Sequence, residues 1–262
     1  MQVYRGMDIG TAKPSVEDRD LIVHYMIDLV TPDLEYTAAE FQREARGIID
    51  SGRHEAVIIA GGSGFHFRAV VDPHTFPPAD PGVRSELDGL PDPVAALVAV
   101  DPGAGDVVDL ANRRRVIRAL EVHRLTGLTP SIRASSGEAD SLRRYQSHYG
   151  FGAVGLEPGE GLEVRIATRI EAMRERGLLE EVSALAPRLG RTSRNAVGYR
   201  QLLDHLRGHT SLEAAWAGVH RATLGLARRQ RTFFRRDPRI RWLDWKEPVE
   251  ARVVETMREW GL

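Results

Sequence analysis

Cysteine is absent from the 262-residue chain, and lysine occurs only at Lys13 and Lys246, so arginine supplies nearly all of the 36 basic residues. Without cysteine the chain has no disulfides, no thiolate zinc sites, no iron–sulfur clusters and no cysteine nucleophile. No apolar run reaches the roughly 18 residues of a membrane-spanning helix. The start also lacks the basic-then-apolar pattern of a signal peptide. We therefore expect a cytoplasmic protein that does not interact with membranes.

Several catalytic motifs are also missing. The sequence contains no G-x-x-x-x-G-K-[ST] Walker A loop, no G-x-G-x-x-G, no H-E-x-x-H and no G-x-S-x-G. The stretch from Gly6 to Lys13 has glycines and a lysine, but the spacing is wrong and Pro14 stands where Ser or Thr is needed. The nine histidines show no metal-ligand spacing. These residues therefore predict no protein metal site.

The net charge of −1 conceals a strong asymmetry along the chain. Residues 111–144 carry 8 basic and 3 acidic residues, and residues 188–241 carry 13 and 3, whereas residues 1–110 carry 8 and 19. Two basic blocks in an otherwise acidic protein indicate a polyanionic partner. A GC-rich genome is the simpler explanation of the preference for arginine. Arginine still supplies planar groups that bind phosphate bidentately.

The pattern of apolar residues predicts a three-layer α/β core with a parallel sheet and an inserted small helical lobe. Residues 56–60 (AVIIA) are typical of a strand buried on both faces of such a sheet. The domains are predicted as core residues 1–71, lobe residues 72–140 and, in residues 141–262, a returning strand with C-terminal helices. Strands are predicted at 24–30, 56–60, 149–156 and 240–244, with a strand end at 1–6. Helices are predicted at 37–50, 65–71, 113–125, 162–176, 178–189, 195–206 and 212–236.

Four segments are candidates for binding, each with a simpler alternative. The glycine loop 61–64 after the buried strand suits an anion, or is a tight turn into a helix. The arginines at positions 113, 114, 115 and 118 form a basic helical face, which is either a phosphate-binding surface or a face exposed only to solvent. Arginines and phenylalanines alternate in 228–236, which suits phosphates and stacked bases unless the phenylalanines belong to the core. Residues 195–200 (NAVGYR) suit a phosphate or base, or serve helix packing.

Taken together, these segments resemble the tRNA dimethylallyltransferases, the bacterial tRNA prenyltransferases. The likeness begins with MQVYRGMDIGTAKP at residues 1–14 and includes GGSG at 61–64, where the family usually has GGTG. It continues through RVIRALEV at 115–122, MRERGLLEE at 173–181, AVGYR at 196–200, ARRQ at 227–230 and WLD at 242–244. It therefore runs in order along essentially the whole chain.

The resemblance implies a P-loop-NTPase-like core and transfer of a dimethylallyl group, assisted by Mg²⁺, from dimethylallyl diphosphate to tRNA. The acceptor is the exocyclic N6 amine of the adenosine 3′-adjacent to the anticodon, so the RNA partner is the anticodon stem-loop. We expect a monomer. The residues implied to contact tRNA are Met1, Gln2, Ser63, Arg84, Arg114, Arg115, Val116, Ile117, Arg118, Asn195, Ala196, Val197, Gly198, Tyr199 and Arg200. Those implied to contact the diphosphate are Lys13, Arg228 and Arg229, the last two serving the diphosphate or the RNA.

The sequence also departs from the family pattern. The family places a Walker A loop, which binds the diphosphate, about thirty residues before the position of Met1, and a catalytic aspartate and a serine directly before it. None of these is in the chain, so no catalytic residue is assigned and the first strands of the sheet are expected to be missing. We expect a truncated form with little or no catalysis. The alternatives are an RNA-binding remnant without catalysis, or another P-loop-like transferase such as a nucleotide kinase relative.

Overall fold

The computed structural model describes residues 1–261, and the chain divides into two compact units. The first unit combines Met1–Val70 with the chain from Gly150 onward, and the second unit is Val71–Tyr149. The elements in chain order are α1 (Val16–Leu21), α2 (Ala38–Asp50), α3 (Gly64–Val71), α4 (Pro81–Asp88), α5 (Pro93–Val100), α6 (Arg113–Thr126), α7 (Pro130–Ala134), α8 (Gly137–Arg143), β1 (Ala153–Glu157), α9 (Leu162–Glu175), α10 (Leu178–Leu185), α11 (Tyr199–Leu206), α12 (Leu212–Phe234), β2 (Ile240–Asp244) and α13 (Val249–Trp260).

A two-stranded parallel sheet lies in the first unit. Strands β1 and β2 pair with Ala153 opposite Ile240 and Glu157 opposite Asp244, which confirms the strands predicted in these two regions. The protein is therefore a helix-rich α/β protein with a small parallel sheet, in agreement with the predicted fold class. None of the helices within residues 1–261 combines the length and apolar character needed to cross a membrane.

Two predicted strands do not form. From residues 24–30 only Val30 takes part in pairing, through a single parallel bridge to Tyr4, which is also the only pairing of the predicted strand end at 1–6 among the described residues. Residues 56–60 are exposed, and Ile58 is 68% exposed. A buried parallel strand needs hydrogen-bonding neighbours on both edges. No described residue pairs with 56–60, so the prediction of a doubly buried strand there is wrong.

Helix α2 shows how local sequence sets a boundary. Thr37 accepts a hydrogen bond from the Glu40 backbone N–H, and the Glu40 carboxylate accepts one from the Thr37 N–H. This capping box satisfies donors that the first helical turn leaves unpaired. The helix ends at Asp50, and Gly52 follows with a left-handed backbone (φ +63°). The helix predicted at 37–50 is confirmed.

The C-terminal helices of the first unit follow the predictions with shifted ends. Helix α10 ends at Leu185, where a 3-10 turn containing Pro187 follows. Helix α11 begins at Tyr199 rather than at 195, because Gly198 adopts a positive φ of +94° that interrupts a right-handed helix. Helix α13 was not predicted. Helices α9 to α12 surround the apolar core of the first unit, which includes Tyr4, Met7, Leu178, Val182, Tyr199 and Leu202.

The second unit is built around α6, which packs against α4 and α5. Helices α4 and α5 each begin with proline after an aspartate cap, Asp80 and Asp92. Proline fits the first helical turn because backbone N–H groups there have no acceptor within the helix, so the N–H that proline lacks is not needed. The core of this unit contains Leu87, Leu97, Ala104, Val116, Ile117 and Leu120. Helix α6 therefore has one apolar side and one side that carries arginines.

Candidate nucleic-acid interface

The basic face of the second unit lies on α6. Arg114 and Arg115 are exposed, and Arg114 has no ion-pair partner within residues 1–261. Val116 and Ile117 are 0% and 2% exposed because they pack into the core of the unit. Their side chains are therefore not available to RNA, and only the arginines of this predicted segment face solvent.

Arg84 and Arg118 converge on Glu121, although Arg84 is 37 positions away from it in sequence. The Glu121 side chain is fully buried and accepts hydrogen bonds from Arg84 Nη2 at 2.5 Å, Arg118 Nη1 at 2.6 Å and the Asp80 backbone N–H at 2.9 Å. Arg118 also donates to the carbonyls of Pro77 and Pro78. The structure thus brings together two predicted tRNA-binding arginines through a residue to which sequence analysis assigned no role. The sequence feature that could have predicted this role is the position of Glu121, a glutamate directly after Leu120 on the apolar side of α6.

The pKa of Glu121 is lowered from its ordinary value. Burial acts to raise it, but the hydrogen bonds from Arg118 and Arg84 outweigh burial. A carboxylate whose folded pKa is lowered stabilises the fold above its unfolded pKa and loses that contribution as pH falls through the folded value. We expect the second unit to lose stability on acidification from about pH 5 downward, and less steeply in Glu121→Gln. Denaturant unfolding monitored by circular dichroism at a series of pH values checks this. If the free energy of unfolding fell equally steeply with pH in the unchanged protein and in Glu121→Gln, the result would contradict the prediction.

In the first unit, residues 1–13 form an interlocked loop. Gln2 Nε2 donates to the carbonyls of Thr11 at 3.2 Å and Ala12 at 3.0 Å, while the Met1 side chain is exposed. Lys13 is 7% exposed, and its ammonium contacts the Tyr4 carbonyl at 2.7 Å, Asp8 Oδ1 at 2.7 Å and Asp28 Oδ1 at 2.5 Å. An ammonium has three N–H donors. Because all three are used, Lys13 has none left for the predicted diphosphate contact, and its role in this structure is to hold the loop.

The residues of the segment 195–200 differ in their exposure to solvent. Asn195 and Arg200 are exposed, Val197 is half-buried, and Ala196 and Gly198 are buried. Tyr199 is 0% exposed, and its hydroxyl donates a hydrogen bond to Glu181. Burial, together with this hydrogen bond, raises the pKa of Tyr199 far above its ordinary value. The Tyr199 ring is therefore a core group and cannot stack on a base, which corrects the expectation for that side chain.

The glycine loop 61–64 lies against α12. Ser63 is exposed, and its Oγ is 2.7 Å from His66 Nδ1. A Cβ at Gly62 would overlap the Gln230 side chain, and one at Gly64 would overlap the Phe233 ring. The side chains of α12 thus approach the backbone of this loop closely, and a larger residue at Gly64 would displace the Phe233 ring. This contact brings the predicted tRNA contact Ser63 near the basic stretch of that helix.

The basic stretch of α12 contains two groups of arginines. Arg228 and Arg229 are exposed, with no ion-pair partner in the described chain. Arg231 and Arg235 instead bind Glu157, and hydrogen bonding from Arg235 and the charge of Arg231 lower the pKa of Glu157. Arg228 also lines an open cavity of about 420 Å³ with Glu157 and Arg231. The unpaired guanidinium groups of Arg228 and Arg229 suit a phosphate, whereas Arg231 and Arg235 share the carboxylate of Glu157.

The phenylalanines that follow are divided in the same way. Phe233 is 38% exposed, whereas Phe234 is half-buried and contacts Phe67 edge-to-face at 5.9 Å between ring centroids. Only Phe233 is thus partly available to a base.

In residues 1–261 no group of three or more His, Asp or Glu side chains could hold a metal ion. Each of the two units thus carries exposed arginines, and the described residues contain no cluster of metal-binding side chains.

The structure is that of a helix-rich α/β protein with a small parallel sheet, and solved transferases superpose on it. The chain belongs to the IPP transferase family, whose model matches residues 2–237. A tRNA dimethylallyltransferase of Bifidobacterium longum subsp. infantis is 40% identical over 256 residues, covering 94% of this chain and 76% of the relative. One of Streptomyces avermitilis is 41% identical over 255 residues, covering 93% and 79%.

Solved structures agree with the family assignment. The tRNA delta(2)-isopentenylpyrophosphate transferase of Staphylococcus epidermidis superposes with a TM-score of 0.68 at 29% identity, covering 99% of this chain and 87% of that one. The tRNA isopentenylpyrophosphate transferase of Bacillus halodurans gives 0.67 at 32% identity, covering 97% and 82%. The resemblance found in the sequence is thereby confirmed at the level of the family.

Proposed function

We propose that the protein acts in transfer of a dimethylallyl group from dimethylallyl diphosphate to N6 of the adenosine 3′-adjacent to the anticodon of tRNA. The observation that carries this proposal is the family match over residues 2–237, with relatives named tRNA dimethylallyltransferase at about 40% identity. In the reaction the N6 lone pair forms a bond to the allylic carbon, the carbon–oxygen bond breaks, and diphosphate leaves with its electron pair. The N6 proton passes to a base.

The described residues support the RNA-binding part of this proposal. Arg114 and Arg115 on α6, and Arg200, Arg228 and Arg229 in the first unit, are exposed guanidinium groups that can bind backbone phosphates. Arg84 and Arg118 are held by Glu121 with part of each side chain in solvent. Met1, Gln2, Ser63 and Asn195 are the remaining accessible candidates. Backbone groups of Ala196, Val197 and Gly198 complete the proposed contact segment.

The described residues support the diphosphate part less well. The 262 residues contain no Walker A loop, Lys13 is fully engaged, and the part of the chain that is described holds no acidic or histidine cluster for Mg²⁺. The involvement of Mg²⁺ is therefore supported by the resemblance alone. We propose that these 262 residues alone bind the anticodon stem-loop as a monomer and transfer the prenyl group slowly or not at all. An RNA-binding protein without catalysis is the second candidate, favoured by the engagement of Lys13.

A binding and transfer experiment tests both candidates. We expect the chain to bind an anticodon stem-loop with an affinity that falls as salt rises, because each phosphate contact releases counterions. Arg228→Met with Arg229→Met should lower the slope of log K against log salt by about 0.7–0.9 for each lost contact. Arg258→Met on α13, an exposed arginine outside these segments, serves as the control and should leave the slope unchanged.

The same samples, given radiolabelled dimethylallyl diphosphate and Mg²⁺, report transfer. Binding with transfer at normal rates would overturn the proposed inactivity of the 262 residues. Binding with no transfer supports it, and supports the RNA-binding candidate for this chain. Failure of the chain to bind any tRNA stem-loop would overturn the proposed function as a whole.

A further inference from the structure

Glu181 on α10 is the acceptor at which two proposed tRNA-binding segments meet. Its Oε2 accepts hydrogen bonds from the backbone N–H groups of Asp8 at 2.9 Å and Ile9 at 2.7 Å. Its Oε1 accepts one from the Gly10 N–H at 3.1 Å and another from the Tyr199 hydroxyl. A carboxylate has about four acceptor sites, so this group is fully used by the protein itself.

The first segment tied by Glu181 includes Gln2. The loop whose N–H groups bind Glu181 continues to Thr11 and Ala12, and their carbonyls accept both hydrogen bonds from the Gln2 amide. The orientation of the Gln2 side chain thus depends on the path of residues 8–12. Three successive backbone donors, those of Asp8, Ile9 and Gly10, converge on this one carboxylate.

The second segment is 195–200, which Glu181 holds through Tyr199. The Tyr199 ring also packs directly on Gly10, where a Cβ would overlap the ring. Tyr199 is buried, so the hydrogen bond to Glu181 acts on the backbone that carries the exposed neighbours Asn195 and Arg200. The Glu181 carboxylate, together with the direct contact between the Tyr199 ring and Gly10, therefore holds the Gln2 loop against this segment.

We propose that Glu181 is a positioning residue for the target adenosine: it places Gln2 and residues 195–200 at the separation that the RNA requires, without touching the RNA. This inference rests on the proposed function. A glutamine at this position offers one acceptor oxygen and turns an NH₂ group toward the donors, so it cannot replace the carboxylate. The arginines that bind phosphates on α6 and α12 are not part of this network.

The test uses the full chain and an anticodon stem-loop with 2-aminopurine in place of the target adenosine. The dissociation constant reports phosphate contacts, and the fluorescence at saturation reports whether the base leaves its stack. We expect Glu181→Gln to reduce the fluorescence rise at saturation about fivefold while changing the dissociation constant less than about threefold. Tyr199→Phe, which removes one of the four hydrogen bonds and keeps the ring, should show a smaller loss of the same kind.

Glu180→Gln is the matched control, because Glu180 is an exposed neighbour on the same helix that carries the same charge. It should behave like the unchanged chain. A merely structural role for Glu181 would lower the folded fraction, which weakens apparent affinity but leaves the signal at saturation intact. Full signal at saturation in both Glu181→Gln and Tyr199→Phe would overturn this inference alone. Failure of the unchanged chain to bind the stem-loop would overturn the proposed function, and the positioning role with it.

Discussion

Replacing Arg84 and Arg118 together by methionine should destabilise the second unit by about 3–5 kcal/mol, the usual cost of leaving a buried charge without its partner. In the structure the fully buried Glu121 carboxylate is neutralised by these two guanidinium groups. The double variant leaves it only the Asp80 N–H. The pKa of Glu121, which is now low, should rise in this variant, so the loss should be smaller at acidic pH than at neutral pH.

A triple variant distinguishes this electrostatic effect from the loss of packing. Adding Glu121→Met removes the stranded charge and should restore most of the stability, because apolar groups of similar volume often replace buried ion pairs without loss. RNA affinity should stay reduced in both variants, since both lack the arginines. All four tryptophans, at 216, 242, 245 and 260, lie in the first unit. Their fluorescence therefore reports that unit, whereas circular dichroism reports both.

The expected signature is a shifted unfolding transition in circular dichroism with little change in tryptophan fluorescence. A double variant as stable as the unchanged protein would contradict the role of Glu121 as a buried counter-ion. A triple variant as unstable as the double variant would assign the loss to packing of the arginine stems instead.

Lys13→Met should destabilise the first unit by about 2–4 kcal/mol, because it removes three hydrogen bonds from a buried ammonium and leaves Asp8 and Asp28 without their shared cation. Burial acts to raise the pKa of Asp28, but the hydrogen bonds and charges of Lys13 and Arg19 lower it overall. The stabilisation is therefore present above the ordinary pKa of aspartate and is lost as pH falls. This pH dependence should shrink in Lys13→Met.

Lys246→Met is the matched control, since Lys246 is the other lysine in the chain and is exposed. Tryptophan fluorescence in denaturant measures the effect on the first unit. Adding Asp28→Asn to Lys13→Met should recover part of the stability. If Lys13→Met instead kept full stability and weakened diphosphate binding, the diphosphate role predicted from the sequence would stand and the structural role would fall.

Local sequence determined the boundaries of several elements. Thr37 and Glu40 form the cap of α2, and Ser211 caps α12; these interactions span three residues and need no partner from elsewhere. The helix predicted at 113–125 is also confirmed, and within it Val116 and Leu120 recur at helical spacing and are both buried. Order and spacing of motifs were sufficient for the family, because they extend over nearly the whole chain.

Sequence pattern was not sufficient where an outcome depends on a distant partner. Residues 56–60 have the composition of a buried strand, but a strand forms only beside another strand, and none of the described residues pairs with them. Lys13 was predicted to contact the diphosphate, but in the structure its ammonium contacts Asp8, Asp28 and the Tyr4 carbonyl. Tyr199 in the segment 195–200 was expected to contact tRNA, yet tertiary packing buries its side chain completely.

The sequence by itself determined the family, the two basic blocks and most of the helices, because these follow from residue types at short or fixed spacing. Only the tertiary structure decided which arginines are free and which are neutralised, and which carboxylates hold them. Glu121 joins Arg84 to Arg118, and Glu181 joins residues 8–10 to Tyr199. Hydrogen bonds between residues 18 to 173 positions apart form only once the chain has folded.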